Sequence, residues 1–386
     1  MAEAYIVEAA RTAGGRRKGA LAGVHPADLG AAVVDALVAR SGVDPAAIDD
    51  LILGCVTQGG EQSFAFGRNV VLASSLPDSV PAVTIDRQCG SSQQALHFAA
   101  QAVMSGTQDL VIAAGAESMT RVPMGSNYML HAQAGMGEGP WPRSIQQRYG
   151  VTEFSQFHGA QAIADKYGFT REDMDAYALD SHRKAVAAIA AGAFVKEIVP
   201  FQTADGRFAQ DEGVRPDGTM EALASLKTLT EGGTITAGNA SQMTDGASGV
   251  LVANEAALKR HKLTPIARIV NLTVTAGDPV IMLEEPIPAT RRAFERSGLK
   301  LDDIDLFEVN EAFASIPMAW LKAIGADPAR LNVHGGAIAL GHPLGATGTK
   351  LMTTLVHALR AQGKRYGLQT MCEGGGIANV TIVEAL

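Results

Sequence analysis

Aromatic residues make up only 5% of the 386-residue chain, too few for the stacking platforms that bind single-stranded nucleic acid. A basic surplus is also missing. With 32 Lys and Arg against 40 Asp and Glu, the net charge of −8 has the wrong sign for duplex phosphates, and an anionic ligand must meet a local cationic patch. Cysteine is scarce: Cys55, Cys89 and Cys372 are odd in number and widely spaced, which fits neither a disulfide framework nor a zinc site and leads to a reducing, cytoplasmic setting. No His-Glu-x-x-His, Cys-x-x-Cys or phosphate-loop pattern occurs, so neither metal nor nicotinamide is expected. No apolar run approaches the roughly 18 residues of a membrane span. The first residues, with an acid at Glu3, read as a strand rather than a signal peptide.

What is present is a globular composition, 47% hydrophobic with 42 glycines, and an internal repeat. Arg40–Gly54 aligns without a gap to Arg296–Asn310, an offset of 256 residues. In both copies a helix ends at Ser-Gly and Ile-Asp introduces an apolar strand. Further on, Gly90-Ser-Ser and Gly345-Ala-Thr each open a long helix that leads into an apolar strand, 109–116 and 366–373. The fold class is α/β, built from a duplicated unit. The first copy is interrupted after Ser118 and resumes at Asp245, with a Met-, Gly- and Pro-rich start to the intervening stretch. The expected organisation is residues 1–118 with 245–265 as one half, 119–244 as an inserted loop domain, and 266–386 as the other half.

Cys89 stands between a strand at 80–86 and a helix with no charged residue from Gln88 to Gln108, so that helix should be buried almost all round. At a helix N-terminus its thiol pKa is expected to fall from about 8.5, favouring the thiolate; the alternative is an inert buried cysteine. His342, between Gly341 and Pro343 in a glycine-rich stretch, cannot lie inside a helix and is displayed on a loop, where a base would be placed. Cys372 ends a strand that passes into Gly374-Gly-Gly376, whose amides can approach a bound carbonyl closely. Cys55, His97 and His357 read as structural residues.

Cys89-Gly-Ser-Ser, Asn310-Glu-Ala-Phe-Ala314, Gly341-His-Pro343 and Cys372-Glu-Gly-Gly-Gly376, in this order on a duplicated frame, resemble the thiolases. Gly238–Gly246 and Gly115–Met119 match further stretches of that family. The resemblance implies a five-layered αβαβα fold and coenzyme A thioesters as substrates, with no permanently bound cofactor. It gives Cys89 as the acyl-accepting nucleophile, His342 as its base and Cys372 as the second acid/base, a thiol whose pKa can be moved toward the working pH. Asn310 would hold a water that forms one oxyanion hole with His342, and the amides of Cys89 and Gly374 would form the other. Glu311 is expected to orient Asn310 and nearby backbone.

Ser241 and Arg215 would meet coenzyme A, at pantetheine and adenine respectively. The chain departs from the family at Phe157-His158-Gly159, where many members read His-Met-Gly, which leaves the place of His158 open, and at Ala378, where glycine is common. The implied reaction is thiolytic cleavage of a 3-ketoacyl-CoA, with acetyl-CoA condensation as the alternative. A ketoacyl synthase or a non-catalytic acyl-CoA binder fits less well. A homodimer or homotetramer is implied, with acyl-CoA and CoA as partners and neither nucleic acid nor membrane.

Overall fold

The computed structural model describes residues 2–386. In the first half, β1 (Tyr5–Thr12) is followed by α1 (Pro26–Ser41), with proline in its first turn, a His25 side-chain cap on the Ala27 amide, and Gly42 at its C-terminus. Leu29, Val33 and Leu37, at helical spacing, are fully buried on the sheet. Then come β2 (Asp50–Gly54), β3 (Ala82–Ile85), α2 (Ser91–Ser105) and β4 (Leu110–Ser118). The insertion carries α3 (Gln156–Tyr167), α4 (Arg171–Ala190) and β5 (Ile198–Val199) before β6 (Thr244–Ala253) completes the half. The second half contains β7 (Ala267–Ala276), α5 (Pro286–Ser297), β8 (Leu306–Val309), α6 (Thr347–Ala361), β9 (Tyr366–Glu373) and β10 (Ile377–Ala385).

The strand order is β8-β9-β10-β7-β1-β6-β4-β2-β3. Its two halves repeat each other. In the first, β3 and β4 pair parallel with β2, while β6 runs antiparallel to β4 and β1. In the second, β8 has Leu331 and β9 as parallel neighbours, and β10 runs antiparallel to β9 and β7. β1 and β7 join the halves into one sheet through only Tyr5–Arg268 and Ile6–Ala267. β2 and β8, β4 and β9, and α2 and α6 all begin 256 residues apart. Gly90 thus corresponds to Ala346, one residue beyond the Gly345 that the sequence pairs with it.

α2 and α6 form the middle layer between the two half-sheets, with α1 and α5 on the outer faces, so five layers result. Leu96, Ala99 and Val103 of α2 meet Met352, Leu355 and Leu359 of α6. Each large aliphatic side chain buried there contributes about 2 kcal/mol. α2 is buried nearly all round, with Phe98, Gln101 and Ser105 as its exposed stripe. The insertion also reaches the main sheet: β5 pairs with β1, and the buried Arg11 of β1 binds Glu197 and Asp211.

Candidate active site

Cys89 precedes α2 on a turn in which Gln88 adopts φ +48°, and it packs against Val56, Met119 and Leu344. The end of β9 closes over the same turn. A Cβ on Gly374 would lie 2.9 Å from the Gln88 side chain, and one on Gly90 would lie 2.0 Å from the Glu373 carboxylate, so both glycines permit contact that any side chain would block. Cys89 is half-buried; desolvation first, and then the proximity of Cys372 and Glu373, each of which would oppose a second negative charge, push its thiol well above its ordinary range. This reverses the expectation of a lowered pKa. A helix terminus supplies about 1 kcal/mol, whereas burial moves a thiol by several pH units. Cys372 is likewise pushed up to about 12 by burial, away from neutrality rather than toward it. Both cysteines rest as neutral thiols.

His342 is held on three sides. Its amide donates to Thr244 Oγ1 at 3.0 Å, its neighbour Gly341 adopts φ +82°, and Nδ1 lies 2.6 Å from Thr347 Oγ1. The Thr347 hydroxyl donates its one proton to the Pro343 carbonyl at 2.9 Å. It can therefore only accept from His342, which places the imidazole proton on Nδ1 and leaves Nε2 with a free lone pair. Nε2 is buried without a partner, and so are both amide atoms of Asn310 and both oxygens of Glu373. Buried polar atoms are ordinarily bonded, so these groups keep hydrogen-bonding capacity that no protein group uses. Asn310 directly follows β8, its backbone N–H donating to the carbonyl of Thr370 on β9, two residues from Cys372. Burial, then the Lys350 charge, lowers His342 to about 3, so it is neutral at physiological pH.

Glu311 accepts from Tyr177 Oη, Ser181 Oγ, Asn332 Nδ2 and the Ile338 amide. Its acceptor capacity is absorbed by structure, which fits an orienting role. Ser241 is half-buried; its amide binds Ala312, and its neighbour Ala240 bridges to Phe313, so it lies against the Asn310–Ala314 loop. Arg215 is exposed, and its side chain forms no ion pair among the described residues. From the departing turn it is Phe157 that packs inward, 5.8 Å from the Phe313 ring, while His158 is exposed. His97 bonds Thr381, His357 bonds the Ala9 carbonyl, and Cys55 is buried beside Gln62 and Glu117.

Sequence reasoning passed over Thr347, although its place five residues beyond His342, at the start of the anticipated helix, was readable. It also passed over Glu117, whose carboxylate binds the amides of Val56, Thr57 and Gly345. Glu117 lies 256 residues before Glu373, a pairing the repeat already contains.

Two family models match the chain: "Thiolase, N-terminal domain" over residues 4–256 and "Thiolase, C-terminal domain" over 263–385. Among curated relatives, the steroid 3-ketoacyl-CoA thiolase FadA6 of Mycobacterium tuberculosis is 54% identical, covering 100% of this chain and 95% of that protein. A 3-ketoacyl-CoA thiolase of Bacillus subtilis is 41% identical over the full length of both. An acetyl-CoA acetyltransferase of Pseudomonas aeruginosa is also 41% identical, covering 97% of this chain and 98% of that protein. The crystal structure of the Bacillus anthracis acetyl-CoA acetyltransferase superposes with a TM-score of 0.91 at 35% identity, covering 100% of this chain and 99% of that one.

Proposed function

Because the chain belongs to the thiolase family, we propose that it cleaves 3-ketoacyl-CoA with CoA, giving acetyl-CoA and an acyl-CoA two carbons shorter. The observation that carries the site assignment is the set of buried, unpartnered polar atoms of Asn310 and His342, on segments joined to those of Cys372 and Cys89 through the Asn310–Thr370 backbone bond and the packing of Leu344 with Cys89. In the proposed sequence Cys89 gives its proton to His342 Nε2, and its sulfur attacks the keto carbon. The resulting oxyanion is met by Asn310 through a water and by His342. Breaking the Cα–Cβ bond leaves an acyl-Cys89 thioester and the enolate of acetyl-CoA, which takes its proton from Cys372. CoA then attacks the thioester as its thiol proton passes to the Cys372 thiolate, and Cys89 leaves as a thiol with the proton returned by His342 Nε2. The amides of Cys89 and Gly374 would serve the second oxyanion.

A neutral resting thiol and imidazole suit this order, since charge separates only when a carbonyl is present to receive the sulfur. The degradative direction is favoured by the full-length relative at 54% identity, named for 3-ketoacyl-CoA thiolysis. Met119, buried against Cys89, offers a pliable wall for acyl chains. Ser241 would hold pantetheine and the unpaired Arg215 the adenine end, with His158 at the exposed rim. The insertion, 119–244, would act as the loop domain between the halves 1–118 with 245–265 and 266–386. The edge strand β3, with Val83 exposed on it and Phe64 and Leu72 on the preceding segment, supports a homodimer or larger homo-oligomer. A nucleophilic thiol fits a reducing cytoplasm.

Thiolysis measured across 3-ketoacyl-CoA chain lengths tests this reading, with Cys89→Ala and Cys372→Ser as variants. Cys89→Ala is expected to lose roughly 10⁴-fold or more. Cys372→Ser should still be acylated at Cys89 by acyl-CoA while carbon–carbon cleavage collapses. A strong preference for the four-carbon substrate would favour acetoacetyl-CoA synthesis instead, and survival of activity in Cys89→Ala would refute the nucleophile.

A further inference from the structure

On the reading that His342 is the base for Cys89, we propose that Lys350 is a positioning residue for it. The Lys350 ammonium fixes the peptide that presents the imidazole, and its charge opposes an imidazolium there. Thr347 and Lys350 are three residues apart on α6 and so share one face. Thr347 holds the His342 ring, and Lys350 Nζ donates to the Gly341 carbonyl at 3.0 Å. The amide on the other side of that same peptide is bound by Thr244 Oγ1. One peptide unit is therefore clamped at both ends, its carbonyl by Lys350 and its N–H by Thr244. The clamp falls where Gly341 takes a left-handed φ and where a Cβ would lie 2.3 Å from Thr244 Oγ1. Without Lys350, a glycine peptide in this region has many accessible conformations.

Lys350 is 4% exposed, and a buried ammonium requires a reason. The charged groups facing it are Arg11 of β1, Glu197 and Asp211 of the insertion, and Glu308 of β8. Glu197 and Asp211 are both bound by Arg11, and burial pushes Glu308 up toward its neutral form. Two cations thus stand with two carboxylates. Of these groups, Lys350 is the one whose charge reaches His342. From the strands on the cysteine side, Glu117 of β4 is bound by amides, and Glu373 of β9 is itself pushed toward its neutral form by burial. The insertion, through Glu197 and Asp211, thereby supports the group that holds the base.

Three variants separate the clamp from mere charge balance. Lys350→Met removes bond and charge, Lys350→Gln keeps a donor without charge, and Lys350→Arg keeps the charge. Each is followed by thiolysis kinetics and by 15N NMR titration of the His342 imidazole. We expect Lys350→Met to lower kcat roughly 10- to 100-fold with KM little changed. The His342 titration should move upward by about one pH unit in Lys350→Met and Lys350→Gln, with Lys350→Arg close to the parent. Should Lys350→Met not fold, the titration of Lys350→Gln decides. An unmoved His342 titration in both neutral variants would overturn the proposal. Acylation that survives His342→Ala would instead refute the base assignment, whatever Lys350 does.

Discussion

The single hydroxyl proton of Thr347 determines which nitrogen of His342 can act as a base. Thr347→Val keeps the shape of the side chain but removes both the acceptor for Nδ1–H and the donor to Pro343. The imidazole can then take either tautomer. We expect kcat to fall roughly tenfold or more, while thermal stability drops by about 1 kcal/mol; steady-state kinetics alongside calorimetry checks both. Activity equal to the parent would show that the tautomer is set elsewhere. At this scale the sequence marked the candidate side chains by local pattern, because Cys89, His342, Cys372 and Asn310 sit at helix starts, strand ends and glycine turns that punctuate the chain visibly. It could not announce their protonation. Whether a helix end or burial governs Cys89 depends on Val56, Met119 and Leu344, residues distant in sequence that bring desolvation with them. The inward turn of Phe157 in place of His158 was equally hidden, since its partner Phe313 lies in the other half.

Two copies of one αβ unit should yield two equivalent strand ends, yet the two are filled differently. At the end of β2, Gly54 leaves space that the start of α2 fills: a Cβ there would meet the Ser92 amide at 2.4 Å. The matching position at the end of β8 is Asn310, with both amide atoms free. Glu117 on β4 is tied to amides, whereas Glu373 on β9 has none. One pseudo-equivalent end is thus closed by packing and amide hydrogen bonds, and the other presents the Asn310 side-chain amide and the Glu373 carboxyl without such partners. The closure makes its own prediction. A Cβ on Gly115 of β4 would lie 2.3 Å from the Gly345 carbonyl, which as backbone cannot swing aside. Gly115→Ala should therefore cost about 1–3 kcal/mol or more, read as a lower urea midpoint with an unchanged slope. An unaltered midpoint would mean that the turn before α6 is not seated on β4. The repeat itself was legible because its offset of 256 survives in helix ends and strands alike. β5 was not, since a two-residue strand has no periodicity to read.

Across the whole molecule, the insertion and the duplicated core meet at a buried charge. Arg11, fully buried on the first strand, binds Glu197 at 2.6 Å and Asp211 at 2.7 Å, both contributed by the insertion about 200 residues later. Replacing it by methionine would remove the directly bonded cation and leave two buried carboxylates facing the single charge of Lys350. At neutral pH this should destabilise the protein by about 3–5 kcal/mol. The pH dependence identifies the cause. Burial alone would raise the Asp211 pKa, but the charge and hydrogen bonds of Arg11 outweigh it and hold the carboxyl below its ordinary 3.8. In the parent, that contribution is complete above the unfolded pKa and is lost as pH falls through the lower folded one. In Arg11→Met the sign reverses. Without Arg11, burial should outweigh the remaining favourable contacts and bring the Asp211 carboxyl above its unfolded value, so the folded variant takes up a proton first and gains stability relative to its own neutral state as pH falls toward about 4. The difference between parent and variant should therefore narrow with acidification. Urea unfolding at a series of pH values measures it directly: a gap constant with pH would show that Arg11 matters for its packing and not as the charge that ties the insertion to the core.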